Sequence, residues 1–346
     1  MRSFIKRQAR IFRARSGGTA SIRFSSRTKE FIDIPYKAGV SLYNGHIIGK
    51  LNLGFKYIMA ILSIQSHVVF GAVGNSAAVF PLQRMGHEVW PINTVEFSNH
   101  TGYGVWRGQM LEASLVDSLV QGLEERNVLP RCQAVLSGYL GSVRMGHAVS
   151  NAVRMVKLAN PSAVYCCDPV MGDIGRGLYV NSDIPGIFSD NLIKYASIIT
   201  PNQFELNLLT GLDTGKSKDL KDAFHKLHDK GPSVILVTSY REKTNRGSAQ
   251  ETLDMIVSDG DKQWRIGTPE IHFSGVISGT GDLCSAIFLS RYLETRDAKL
   301  ALETTAASIY GILEATYKAG ERELQLVAAQ NELINPVNSF TAAEYP

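Results

Sequence analysis

From residue 58 to about residue 240 the sequence keeps switching between two hydrophobic periods, and that alternation restricts the fold more than any other feature. Short runs rich in apolar and β-branched residues occupy 58–64, 134–136, 163–167, 196–199 and 234–237. Between them lie longer segments with apolar residues at helical spacing, at 76–85, 111–125, 143–158, 203–209 and 220–228. Strands alternating with helices build a parallel sheet covered on both faces, because each parallel strand needs a crossover to reach the next. Strands that are apolar almost throughout fit such a buried sheet. The reading is α/β, with a mostly parallel central sheet between two helical layers. After Asp254 the pattern changes. Residues 253–257 and 264–266 read as antiparallel strands around Asp259-Gly260-Asp261, a hairpin signal. Two helices at about 281–294 and 298–319 close the domain, and 324–334 reads as a last short helix.

In open α/β sheets, ligands bind beyond the carboxyl ends of the strands. Polar residues cluster at those ends here. Ser66 and His67 follow the first run, Ser137-Gly138-Tyr139 the second, Asp168-Pro169 the third, Thr200-Pro201-Asn202 the fourth and Thr238-Ser239 the fifth. Gly71-Ala72-Val73-Gly74-Asn75 lacks the spacing of a dinucleotide fingerprint, and no acid follows where a ribose ligand should stand. It reads as a loop and helix start with Asn75 as the cap.

Gly279-Thr280-Gly281-Asp282 sits where a turn-rich stretch becomes a helix. A helix N-terminus has N–H groups without intrahelical partners, and glycines let a bulky anion approach the backbone. Asp282 places a carboxylate at the edge of that nest. A carboxylate there would repel a phosphate unless it had another task, such as taking a proton from an attacking hydroxyl. Nest and base together suggest phosphoryl transfer to an alcohol. Taken alone, the four residues fit a plain loop and helix cap equally well. Asp168, Asp173 and Glu205 lie near successive strand ends, and Mg²⁺-triphosphate sites use one or two carboxylates with several waters. Singly, Asp168 could cap a turn and Glu205 could complement a helix dipole.

Charge divides the chain. Residues 1–58 hold twelve Lys and Arg against Glu30 and Asp33, so this arm carries about +10 and the remainder about −6. The overall +4 therefore gives no reason to expect a nucleic-acid-binding body. The arm is Arg- and Ser-rich with no acid before Glu30, as mitochondrial transit peptides are; a disordered basic tail explains the same composition. Met59 precedes the first strand, so a shorter product could start there. Four cysteines without CxxC spacing read as buried free thiols in a reducing compartment. No apolar run is long enough to span a bilayer.

Six stretches occur in a fixed order: Ile64-Gln65-Ser66-His67-Val68, Phe97-Ser98-Asn99-His100-Thr101-Gly102-Tyr103, Ser137-Gly138-Tyr139-Leu140-Gly141-Ser142, Cys167-Asp168-Pro169-Val170-Met171-Gly172-Asp173, Thr200-Pro201-Asn202-Gln203-Phe204-Glu205 and Gly279-Thr280-Gly281-Asp282. Together they closely resemble the pyridoxal kinases of the ribokinase-like superfamily. The resemblance runs from about residue 59 to the C-terminus and includes 325–330. It implies a ribokinase-like three-layer α/β/α sandwich over 59–346, with residues 1–58 as an extension that has no counterpart in the family core. It also implies ATP-dependent phosphorylation of the 5′-hydroxymethyl group of pyridoxal, and of pyridoxine and pyridoxamine.

The roles it implies are specific. Asp282 is the base that deprotonates the hydroxymethyl group. Ser66 and Thr101 bond the pyridine ring and its substituents, and Val95, Phe97 and Tyr139 wall a flat aromatic ligand. Asp168, Thr200, Glu205, Thr238, Gly279, Thr280 and Gly281 surround ATP. Asp168, Asp173 and Glu205 lie on the Mg²⁺ side, and a monovalent cation, usually K⁺, sits near the phosphates. The loop after Asp173 fits the family's mobile flap, where Arg176 has no assigned role. A homodimer in the cytoplasm is the implied setting, with mitochondria as the alternative through residues 1–58. Two other functions remain: a kinase for another hydroxymethyl heterocycle such as hydroxymethylpyrimidine, and a vitamin B6 binding protein without turnover.

Overall fold

The computed structural model describes residues 60–242 and 252–345, together with the backbone of four short strands nearer the N-terminus. The chain divides into two units, Met1–Lys56 and Tyr57–Pro346. In the first, β1 (Ala20–Ser25) pairs antiparallel with β2 (Phe31–Tyr36), and β3 (Ser41–Tyr43) with β4 (His46–Ile48). The rest of the segment expected to be disordered or targeting lies outside the described residues.

The second unit begins β5 (Ala60–Phe70), α1 (Asn75–Arg84), β6 (Glu88–Asn99), β7 (Gly108–Met110), α2 (Ala113–Glu125), β8 (Cys132–Ser137), α3 (Val143–Ala159) and β9 (Val164–Cys167). A small hairpin, β10 (Gly172–Asp173) and β11 (Gly177–Leu178), then precedes α4 (Ile184–Ile187), β12 (Ile198–Ile199), α5 (Gln203–Thr210), α6 (Ser217–His228) and β13 (Val234–Tyr240). The chain ends β14 (Thr252–Ser258), β15 (Gln263–Pro269), α7 (Thr280–Thr295), α8 (Ala298–Ala319) and β16 (Ala343–Glu344). One ten-stranded sheet runs in the order β16-β15-β14-β13-β12-β9-β8-β5-β6-β7. It is parallel from β13 to β6 and antiparallel at both flanks.

Alternate residues of each central strand feed opposite layers. Leu62, Ile64, Val135, Tyr165, Cys167, Ile235 and Val237 join a core with α2, α3, α5 and α6. Ile61, Ala134, Leu136, Val164, Cys166, Val234 and Leu236 join another with α1, α7 and α8. This is the period-two geometry of a sheet buried on both faces. The four cysteines are buried and unpaired, as expected. Among the described residues no helix is long and apolar enough to cross a membrane. The chain leaves β5 for β6 on one side and returns to β8 on the other. That reversal opens a crevice at the carboxyl ends of the strands, where the polar residues stand.

Several boundaries differ from the expectations. β5 runs six residues beyond the expected end at residue 64, to Phe70, so Ser66 lies within the strand rather than after it. β6 was not foreseen. Asn75 is not the α1 cap: Gly74 is, and the Asn75 side chain is buried, accepting from Ser63 Oγ at 2.8 Å and donating to Ile92 O at 3.0 Å. The helix expected at 324–334 is one short 3-10 turn, Gln330–Leu333.

Candidate active site

All fourteen residues singled out for the site from sequence line one cavity of about 800 Å³ at the carboxyl ends of the strands. Its first end is built by the long tails of β5 and β6. The pairing of these strands shifts register between Gln65 and His67, so that Ser66 stands opposite two residues of β6, Thr94 and Val95, and the bulge lies in β6. A bulge re-aims a side chain that the strand would otherwise point elsewhere. Beyond it, Val68, Val73, Val95 and Phe97 form a small apolar cluster against Tyr139. Thr101 opens a 3-10 turn, Thr101–Tyr103, capped by the preceding His100, whose Nδ1 accepts from Gly102 N at 3.2 Å. A second hydrogen bond to the same Nδ1 comes from Ser278 Oγ at 3.2 Å.

The middle of the cavity is the start of α7. Gly279 caps the helix at φ 84°, and a Cβ there would stand 1.6 Å from Ala72 O, so only glycine fits. Thr280 and Gly281 open the first turn, with their N–H groups free of intrahelical partners. Asp282 follows on the same turn, facing the loop between β5 and α1. Burial pushes its carboxyl up to about 6, although the Gly74 N–H that it accepts favours the charged form. Gly74 in turn lies so close to Ser66 that a Cβ would meet the Ser66 carbonyl oxygen at 2.1 Å. Ser66 and Asp282 are thus held on either side of one backbone residue.

Three acids lie further along. Asp168, at the end of β9, is 4% exposed and accepts from Ser285 Oγ at 3.0 Å; Ser285 also bonds Thr200 Oγ1 at 2.8 Å. Burial pushes the Asp168 carboxyl well up, helped by the charges of Glu205 and Asp282 and opposed by the Ser285 and Thr200 hydroxyls. Glu205 closes a capping box on α5. Its Oε2 accepts from Asn202 N at 2.9 Å, while Oε1 accepts from Met171 N at 2.8 Å and Gly172 N at 3.4 Å. Burial raises it as well, against those three N–H groups. Asp173 is exposed at the base of the β10–β11 hairpin and holds its own turn through Ile174 N at 2.7 Å. Thr238 stands within β13, two residues before its end, where the pairing with β14 shifts register and Ser239 takes φ 56°.

Sequence reasoning missed several members. Ser285 ties α7 to the ends of β9 and β12, but a single serine on a helix gives no sequence signal. His100, Arg176 and Tyr179 line the cavity, as do Leu253, Met255 and Leu313 where the cavity meets β14 and α8. Tyr103 Oη donates to Glu323 Oε1 at 2.5 Å, and Glu323 Oε2 accepts from Ala72 N at 2.9 Å, which staples the Thr101 turn to the end of β5.

An anion-binding helix start beside a buried acid, at the strand ends of a doubly covered parallel sheet, defines a small-molecule kinase class. In keeping with it, the family model for phosphomethylpyrimidine kinase matches residues 115–326. Curated relatives narrow the class. Pyridoxal kinase PdxY of Granulibacter bethesdensis is 48% identical over 289 residues, covering 82% of this chain and 99% of the relative. That of Deinococcus radiodurans is 46% identical over 286 residues, covering 82% and 95%. Pyridoxal kinase from Leishmania donovani, solved with ADP and ginkgotoxin, superposes with a TM-score of 0.77 at 29% identity, covering 83% of this chain and all of that one. The same enzyme solved with ADP and pyridoxamine gives 0.76 at 28% identity over 83% of this chain. The chain belongs to the pyridoxal kinase family.

Proposed function

We propose that this chain transfers the γ-phosphoryl group of ATP to the 5′-hydroxymethyl group of pyridoxal, and of pyridoxine and pyridoxamine. The observation that carries the reading is the placement of Ser66, the Gly279 turn and Asp282 around one short backbone segment, residues 72–74, in a single cavity. The pyridine ring lies among Val95, Phe97 and Tyr139, with Ser66 and Thr101 bonding its polar groups. Asp282 takes the hydroxyl proton. The oxygen so released forms the new bond to phosphorus, while the bond to the bridging oxygen breaks and ADP leaves. The N–H groups at residues 279–281 receive the charge that builds on the transferring group. Asp168, Thr200, Glu205, Thr238 and Thr280 flank ATP.

The acids fit a divalent cation. Among the described residues no group of three or more ligating side chains could hold a metal unaided. Mg²⁺ keeps waters and shares its shell with phosphates, so it needs only one or two carboxylates. Asp168 and Asp173 would hold it, and Glu205 would position the loop that carries them, since its own oxygens are committed to backbone N–H groups. Bound there, Mg²⁺ would neutralise triphosphate charge. No donor set among the described residues singles out a place for K⁺, which stays an expectation from the family. A homodimer is proposed on the same footing. The apolar side chains of Val69, Phe70, Val105, Trp106 and Met110, exposed where β5, β6 and β7 end, suit such an interface. Residues 1–58 are proposed as a separate extension, and the cytoplasm, or mitochondria through that extension, as the location.

An ATP-consumption assay with pyridoxal, pyridoxine, pyridoxamine and hydroxymethylpyrimidine tests this reading. Turnover with the three vitamers supports it. Turnover with hydroxymethylpyrimidine alone would shift the substrate to that heterocycle. Binding of pyridoxal without ATP consumption would make the chain a carrier, a role for which Asp282 and its nest have no use.

A further inference from the structure

The side chains lining the cavity carry an unbalanced charge. Asp168, Asp173, Glu205, Glu270 and Asp282 stand against one guanidinium, Arg176, and no lysine among the described residues. A triphosphate entering this cleft brings still more negative charge. Glu270 is already paired with Arg241 at 2.5 Å. Arg176 has no ion pair or side-chain hydrogen bond among the described residues, and its place suits an anion. It stands at the tip of the β10–β11 hairpin between Gly175 (φ 87°) and Gly177 (φ 70°). A smaller recess beside the main cavity joins Arg176 to His100 and Ser278. Ser278 immediately precedes the Gly279 turn. Burial and then the Arg176 charge hold the His100 imidazole below its usual pKa, with Glu323 pulling the other way. A neutral ring accepts at Nδ1 from Ser278 and Gly102, so His100 brings no positive charge to compete with Arg176 for an anion.

We propose that Arg176 is the flap's phosphoryl ligand: its guanidinium binds the oxygens of the γ-phosphoryl group opposite the Gly279 turn, and stays on them as the group becomes the 5′-phosphate of the product. A planar fork of donors matches phosphate oxygens bidentately, and charge spread over those oxygens in the transition state is where a cation acts best. The turn holds the group from the α7 side and Arg176 from the hairpin side. This assignment rests on the phosphoryl-transfer reading above and adds a residue to it.

The test uses the full chain with Arg176→Gln and Arg176→Lys. Turnover should fall roughly 100-fold or more in the glutamine variant, the usual cost of one lost transition-state donor, and recover in part with lysine. By equilibrium titration the glutamine variant should bind pyridoxal as wild type does, and pyridoxal 5′-phosphate about tenfold more weakly, as for a lost charge-assisted hydrogen bond. It should also lose affinity for ATP more than for ADP, because only ATP presents the γ-phosphoryl group. Near-wild-type turnover with unchanged product affinity would overturn the assignment. So would an equal loss for pyridoxal, ATP and ADP, which would mark Arg176 as a structural part of the hairpin. A wild-type chain inert towards pyridoxal would overturn the substrate reading alone, and the ATP-against-ADP comparison would still decide Arg176.

Discussion

Replacing Asp282 with asparagine should make the protein inactive and more stable at once, and the second effect should vanish in acid. Burial lifts the carboxyl from its ordinary 3.8 to about 6. The folded state therefore holds this proton more tightly than the unfolded chain does. Stability from the neutral carboxyl is fully present below the ordinary value and is lost as pH rises through about 6. Above that, ionised Asp282 costs the fold about 3 kcal/mol. Asparagine keeps the shape and can still accept the Gly74 N–H, but it never ionises. Asp282→Asn should thus gain up to about 3 kcal/mol at pH 8, or roughly 5–10 °C in Tm for a domain of this size. At pH 4 the gain should be close to zero. Turnover should drop roughly 100- to 10,000-fold, the range for a lost general base. In the wild type, kcat/KM should decline as pH falls through about 6, where the base becomes protonated. Thermal unfolding from pH 4 to 8, alongside the ATP-consumption assay, reads all three. A stability difference independent of pH would refute the desolvated carboxylate, and near-wild-type turnover would refute the base.

Ser66→Ala should weaken pyridoxal by about 1–3 kcal/mol, because a ring polar group loses its partner, and leave ATP nearly untouched; loss of ATP affinity instead would place the ring elsewhere. Glu205→Gln puts an amide where three backbone N–H groups converge, so it should raise the Mg²⁺ needed for half-maximal activity and expose the 171–178 loop to proteases; an unchanged Mg²⁺ titration would leave Glu205 as a helix cap. Glu323→Gln weakens the staple on Tyr103, so the KM for pyridoxal should rise several-fold with kcat and the KM for ATP little changed; an equal rise for ATP would show general loosening. A chain beginning at Met59 retains every residue named in the site and should phosphorylate pyridoxal at close to the full-length rate, which loss of folding would contradict.

What the sequence disclosed follows from where a signal is physical. Apolar runs such as 163–167 and 234–237 were legible because strands buried on both faces cannot carry polar residues. The Gly279 turn was legible because only glycine tolerates the approach of Ala72 O. β6 was hidden. Pro91 argues against a central strand, and Asn93, Thr94, Glu96 and Ser98 break the apolar run. In the fold Pro91 is exposed where β6 is an outer strand, since β7 pairs only with residues 95–97. The apolar spacing at 324–334 misled for another reason. Leu324, Leu326, Ala329 and Leu333 are all buried on the α1–α7–α8 side, so the pattern records a turn-rich segment packed on a core. Ser285 and the Tyr103–Glu323 staple gave no sequence sign, because their meaning depends on partners far away in the chain.

The loop at residues 71–74 shows how these distant pieces become one site. Read as sequence, it is only a loop and helix start. In the fold its contacts reach different members of the proposed site. Gly71 approaches the Glu323 carboxylate, and Ala72 N donates to it, which fixes the turn bearing Thr101. Ala72 O lies against Gly279, which sets the height of the anion-binding helix start. Gly74 lies against Ser66 and donates its N–H to Asp282. The groups proposed as substrate turn, ring-binding hydroxyl, phosphate nest and base are therefore registered against one short backbone segment. Positive φ at Gly71 and Gly74 lets the segment make these approaches. In-line phosphoryl transfer depends on holding acceptor oxygen, phosphorus and base in a common geometry, and a misplacement of about 1 Å is costly. A shared loop meets that demand better than four independently mounted groups, because any shift in it moves the parts together.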